Sequence, residues 1–300
     1  MVDLVVVGSV ALDSVKTPFG DVKDILGGAA TYSSVAASIF CKPGLVGVVG
    51  KDFPSEHIEF LRARNIETSG LSVAEGKTFR WSGYYEYDMN QAHTTDTQLN
   101  VFSSFKPKVP DAYLGAKYLF LANIDPVLQM DVFEQFKDLE LVALDTMNFW
   151  IETKKKELLK VIDKVDVLLI NDAEARQLMD TPNLVRAARM LLGKGPSAVV
   201  IKKGEHGALL FTDGVCFFAP AYPLEELRDP TGAGDSFAGG LMGYLASTGD
   251  VSFENMKRAV IYGSAVASFN AEDFSLDKLK EVTKDDIAKR YREFEKLVEF

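Results

Sequence analysis

Short apolar runs alternate with stretches of helical spacing along most of this chain. Leu4–Val7, 45–49, Tyr118–Leu121, Leu141–Leu144, 167–170, 198–201 and 208–211 are β-branched or leucine-rich, with no polar residue at alternate positions. A strand reads this way when both of its faces are covered, as in a parallel sheet with helices on each side. Helical patterns at 56–64, 130–136, 154–161, 173–178 and Leu184–Leu192 lie between many of them. The alternation predicts an α/β fold with a doubly wound, mostly parallel sheet flanked by helices.

One segment breaks the pattern. From Thr78 to Tyr87, Phe79, Trp81, Tyr85 and Tyr87 fall on one face and Arg80, Ser82 and Glu86 on the other. That alternation marks a half-exposed antiparallel strand outside the central sheet. The stretch 15–19, followed by Gly20-Asp21, reads as a companion strand. Together they predict a small β lid at about 14–22 and 77–102, inserted into a single domain spanning 1–300. Toward the C-terminus, Thr283 is placed to cap a helix whose buried stripe is Ile287, Tyr291, Phe294 and Leu297.

Composition narrows the function. The net charge of −10 argues against a nucleic-acid or anionic-membrane surface. A polyanionic ligand would need local groups to hold it. The first eight residues lack a basic start and read as a strand rather than a signal peptide. No apolar stretch approaches the ~20 residues of a membrane span. Cys41 and Cys216 have no metal-ligand or CxxC neighbour, as expected of two buried thiols in a reduced, cytoplasmic protein. His57, His93 and His206 form no triad or metal spacing.

The most specific chemistry lies in Asp229-Pro230-Thr231-Gly232-Ala233-Gly234-Asp235. Small residues sit between two carboxylates, directly before a helix with an apolar stripe at Phe237, Leu241, Tyr244 and Leu245. Such a turn leaves backbone N–H groups at a helix N-terminus, where phosphate is held well. Asp235, in the first turn, is placed to take a proton from an attacking hydroxyl. On spacing alone, two aspartates that merely cap a helix are equally consistent. The segment resembles the second signature of the ribokinase-like, phosphofructokinase-B type carbohydrate kinases, with only Pro230 departing from the common pattern. The resemblance implies phosphoryl transfer, with Asp235 as base and the backbone of Gly232, Ala233 and Gly234 as anion hole.

Other residues fall where open α/β sheets bind ligands, beyond the carboxyl ends of strands. Asp13, Asn171 and Gly204 each follow a predicted strand. Gly8-Ser9-Val10 lacks the further glycines of a dinucleotide fingerprint, and Gly50-Lys51 lacks the first glycine of a P-loop. Asn171 and Glu174 share a helix face, either as a capping box or as a pair that organises water around Mg²⁺. Asp145 reads equally as a ligand contact or a turn residue.

The family resemblance extends to these positions. It makes Asp13 a ligand of acceptor hydroxyls, where its residues alone read as an exposed loop aspartate. Gly27-Gly28, ahead of a small-residue helix, resembles the first signature, with Tyr32 nearest the position where many relatives carry asparagine. Lys202, Gly204 and Thr231 are implied beside the nucleotide. Carbonyls at Asp229, Thr231 and 267–275 are implied at a monovalent cation such as K⁺, with Ser275 near the position where relatives often carry glycine. ATP and Mg²⁺ are the implied cofactors. The implied function is phosphorylation of a hydroxyl on a small sugar, sugar acid or cyclitol beneath a lid carrying Trp81 and Tyr85. A nucleoside kinase and a catalytically silent sugar sensor are the alternatives, and lid pairing implies a homodimer.

Overall fold

A computed structural model describes residues 1–299. Its strands, in chain order, are β1 (Leu4–Val7), β2 (Ala11–Thr17), β3 (Gly20–Gly27), β4 (Pro43–Gly50), β5 (Glu67–Ala74), β6 (Phe79–Tyr85), β7 (Ala92–Gln98), β8 (Tyr118–Leu121), β9 (Leu141–Leu144), β10 (Val167–Asn171), β11 (Ala198–Lys202), β12 (Ala208–Thr212) and β13 (Val215–Ala219). The helices are α1 (Ala29–Ala37), α2 (Ser55–Ala63), α3 (Pro126–Phe133), α4 (Asn148–Thr153), α5 (Lys155–Ile162), α6 (Asp172–Met179), α7 (Leu184–Leu192), α8 (Ala233–Thr248), α9 (Phe253–Ala271) and α10 (Lys284–Val298).

The large sheet runs β13-β12-β11-β10-β9-β8-β1-β4-β5. From β11 to β5 every pairing is parallel, and only β12 and β13 reverse. The unbroken apolar runs have a plain cause. Leu4 and Val6 join one buried core while Val5 and Val7 join the other, and Leu169 and Leu168 divide the same way. Helices α1, α8, α9 and α10 cover one face; α3, α5, α6 and α7 cover the other. Parallel order puts the carboxyl ends of β1, β8, β9, β10 and β11 on one side, where the candidate residues gather.

The small sheet has the order β3-β2-β6-β7. Its first segment runs from Ala11 to Gly27, longer than the expected 14–22, because β2 continues almost directly from β1. The lid strand is antiparallel to β7 but parallel to β2, which corrects the purely antiparallel expectation. Alternation encodes a covered and an open face, not the direction of the neighbour. Strands β5 and β13, absent from the apolar reading, sit at the sheet edges with mixed, partly exposed side chains.

Helix α3 begins four residues earlier than its apolar pattern. Asp125 caps it by accepting the Val127 N–H at 3.0 Å, and Pro126 fits the first turn. Thr283 caps α10 as expected, with Asp286 reciprocating, but Leu297 is 50% exposed and leaves the stripe. Cys216 is exposed on β13 and Cys41 half-buried, which corrects the expectation of two buried thiols.

Candidate active site

Asp13 is 4% exposed, so it is no loop aspartate. The Gly28 N–H donates to its carboxylate. Gly27 makes the seat: a Cβ there would lie 1.9 Å from Asp13 Oδ2. Gly28, at φ 96°, turns the chain into α1, where any side chain would strike the Ser9 carbonyl at 2.5 Å. Burial, with a smaller push from the Asp229 and Asp235 carboxylates and against the pull of the Gly28 N–H, brings the Asp13 carboxyl up to about 7.

Gly232, at φ 75°, forms the turn into α8, and a Cβ there would meet the Tyr32 ring at 2.5 Å. The Ala233 N–H is taken by the Pro230 carbonyl at 3.0 Å and that of Ser236 by Gly232 at 2.8 Å. Among the described residues no acceptor meets the N–H groups of Gly232, Gly234 and Asp235. Of the Gly232–Gly234 backbone expected from the motif, Gly232 and Gly234 keep free donors, the Ala233 N–H is spent within the turn, and Asp235 adds one more. The Asp235 carboxyl stands beside them, partly exposed. Burial pushes it up to about 7, Asp145 adds to the rise, and Lys202 opposes it.

The glycines of α8 fix Asp235 against α1. A Cβ at Gly239 would lie 2.2 Å from the Ser33 carbonyl, and one at Gly243 2.7 Å from Ala37 Cα, both on α1. Ser33 Oγ also donates to the Asp235 carbonyl at 3.0 Å. The two helices thus touch backbone to backbone.

Lys202 stands on the other side of the Gly234 turn. Its Nζ lies 2.5 Å from Asp145 Oδ2, with both side chains largely buried. A Cβ on Gly234 would sit 3.3 Å from that ammonium, so Lys202 borders the free N–H groups. Burial alone would push Lys202 down; Asp145 and Glu174 outweigh it and the net direction is up. Asp145 Oδ1 also accepts the Thr146 N–H at 2.8 Å, combining its turn role with an ion pair. Asn171 and Glu174 form the reciprocal capping box, at 2.8 and 2.9 Å. Burial pushes the Glu174 carboxyl up to about 7, with Asp145 adding. Its Oε2 takes the Asn171 N–H, and no donor among the described residues meets Oε1.

The lid reaches both sides. Trp81 lies in register with Asp13 on the neighbouring strand and shares its face. Gly83 leaves room for the indole: a Cβ there would be 2.4 Å from the ring. Tyr85, four residues on from Trp81, takes a hydrogen bond from Thr231 Oγ1 at 3.3 Å. At the lid tip, Asn90 Nδ2 meets Glu205 Oε1 at 3.4 Å, beside Gly204. Tyr32 is 1% exposed, and its hydroxyl has no partner among the described residues. Two contributors escaped the sequence reading. Ser33 acts only through space, and Asn270 is a buried amide whose sole signal was a polar residue closing an apolar helix.

The pfkB family carbohydrate kinase model matches residues 1–281. The chain belongs to this family. As a member it is an ATP-dependent phosphotransferase, and the silent-sensor alternative gives way to an enzyme. A cytidine kinase from Thermococcus kodakarensis is 34% identical over 251 residues, covering 81% of this chain and 89% of that protein. A nucleoside kinase from Methanothermobacter thermautotrophicus is 27% identical over 288 residues, 90% of each chain. In fold, the chain is similar to the Methanocaldococcus jannaschii nucleoside kinase (TM-score 0.79, 21% identity, 98% of this chain and 99% of that one). It is also similar to a putative ribokinase II from E. coli, solved with ATP and Mg²⁺ (TM-score 0.78, 17% identity, 98% and 100%). Among the described residues no helix is long and apolar enough to cross a membrane.

Proposed function

We propose that this kinase phosphorylates a nucleoside on its ribose, with Asp235 as general base. The observation that carries the nucleoside is the 34% identity to a cytidine kinase over 89% of that protein's length. The lid supports it, because Trp81 offers a flat aromatic surface beside Asp13, suited to a nucleobase next to its sugar. Asp13 accepts from two vicinal ribose hydroxyls, which leaves the exocyclic hydroxyl for Asp235. The Gly234 and Asp235 N–H groups and Lys202 hold the transferring phosphoryl group. ATP supplies that group, and Mg²⁺, where bound, neutralises phosphate charge. Glu174, through Oε1, would hold a water of that ion. Gly204 and Thr231 border the nucleotide, and Tyr85 and Trp81 exclude water when the acceptor is seated.

A coupled ADP assay with cytidine, other nucleosides, ribose, sugar acids and inositol tests the acceptor. Nucleosides are expected to exceed every free polyol in kcat/KM by about a hundredfold, because unpaired buried groups penalise incomplete substrates. A free sugar or cyclitol as the best acceptor overturns the nucleoside and restores the polyol reading.

Asp13→Ala should raise the acceptor KM roughly tenfold to a hundredfold, since a hydrogen bond to a charged group is worth ~1.5–3 kcal/mol. KM for ATP should hardly change. Unchanged acceptor kinetics remove Asp13 from the site. Glu174→Gln keeps the capping box, because glutamine serves there equally. It should raise the Mg²⁺ concentration needed at fixed ATP. An unchanged Mg²⁺ requirement leaves Glu174 only its structural role in the capping box. We also propose a homodimer through the lid, whose outer side exposes Tyr84 stacked on His93 at 4.9 Å. A monomer by light scattering overturns it.

A further inference from the structure

The family resemblance implies a monovalent cation at backbone carbonyls of Asp229, Thr231 and the segment around Ser275. The Thr231 carbonyl already has a protein donor, and the side chains around it are committed to one another. Asn270 Nδ2 donates to the Thr231 carbonyl at 2.8 Å. The Asp229 carboxylate takes the N–H of Thr231 at 2.9 Å and that of Ser275 at 3.4 Å. Ser275, at φ 54°, turns its hydroxyl to the Leu26 carbonyl at 2.5 Å.

Asn270 is 1% exposed, and its orientation follows from its partners. A carbonyl only accepts, so the amide nitrogen must face Thr231. The oxygen then faces Ser236, whose Oγ donates to it at 2.9 Å. One amide at the end of α9 therefore ties down both the turn before α8 and Ser236, the residue after Asp235 in the first turn of α8. The N–H of Asn270 takes one of the two lone pairs of the Thr231 carbonyl, and its positive end beside that oxygen opposes a cation there. These residues do not fit the implied ion.

We infer that Asn270 is a positioning residue that fastens the anion-hole turn in place of a monovalent cation, so that transfer is independent of K⁺. The inference rests on the phosphoryl-transfer reading of this turn.

Initial rates and melting temperatures are measured in K⁺, Na⁺ and choline chloride at matched ionic strength. Rates equal within about twofold and no K⁺-specific rise in melting temperature are expected, since an ion that binds the folded chain would stabilise it. K⁺ activation of about tenfold, or K⁺-specific stabilisation, overturns the inference. Absence of transfer in every salt counts against the phosphoryl-transfer reading instead, and the melting temperatures then still decide whether K⁺ binds.

Two variants separate tethering from folding. Asn270→Asp keeps an oxygen for Ser236, loses the donor and sets a negative charge beside the Thr231 carbonyl. It should lose about tenfold in rate in choline, the worth of one hydrogen bond, and recover part of that loss in K⁺. Asn270→Ala loses the donor without adding a charge, so its kcat should fall without recovery in K⁺ while KM for the acceptor stays near wild type. If both variants keep the wild-type rate in every salt, Asn270 does not fasten the turn.

Discussion

Asp235→Asn is expected to lower kcat by about 10²–10⁴-fold, the usual contribution of general base catalysis. ATP and acceptor should still bind, because asparagine keeps the size of the side chain and the backbone N–H groups of residues 234 and 235 are untouched. The pH profile provides a second reading. A base works unprotonated, and burial pushes this carboxyl up to about 7 from 3.8. Wild-type kcat should therefore fall as pH drops through about 7. The same rise has the opposite consequence for folding. A carboxyl that binds its proton more tightly folded than unfolded loses stability as pH climbs from about 4 to about 7. Removing the charge should leave the melting temperature at pH 8 equal or higher, so a loss of rate cannot be laid to unfolding. Near-normal kcat in Asp235→Asn with the best acceptor would refute the proposed mechanism while leaving the fold intact.

Much of this was legible because it is local. The apolar runs of β1, β8 and β9 match their strands end to end, since a residue buried on either face must be apolar. The turn before α8 could be read because its chemistry and its spacing lie in seven consecutive residues. What failed depends on neighbours. Alternation in β6 gave its two faces but not the parallel partner β2, which comes from a distant part of the chain. Asp13 reads as a loop residue until Gly27 and the lid bury it. Lys202-Lys203 offers two lysines at a strand end, and only the strand's register against β10 and the position of Asp145 send Lys202 inward. Asn270 illustrates the limit: its partners Thr231 and Ser236 meet it only once α8 and α9 have packed.

Lys202→Met should damage the protein twice, and the two losses can be separated. The Lys202–Asp145 pair is largely buried, with side-chain exposures of 16% and 4%. Removing one partner of such a pair leaves an uncompensated buried charge and costs about 3–5 kcal/mol. A clear drop in melting temperature follows. The second loss is catalytic. The Lys202 ammonium borders Gly234 and opposes the rise of the Asp235 carboxyl. Without it the acid limb of the kcat profile should move to higher pH. Transfer at pH 8 should also fall about 10²–10³-fold, the effect of deleting one donor to a developing anionic charge. Adding Asp145→Asn removes the stranded carboxylate. The double variant Lys202→Met/Asp145→Asn should recover most of the stability, as buried pairs often do when both charges go. It should not recover kcat, because the phosphoryl group still lacks its cation. Recovery of both together would make the pair purely structural. An unaffected melting temperature in the single variant would mean that Asp145 finds water or another partner, and that the geometry of the buried pair does not persist in solution.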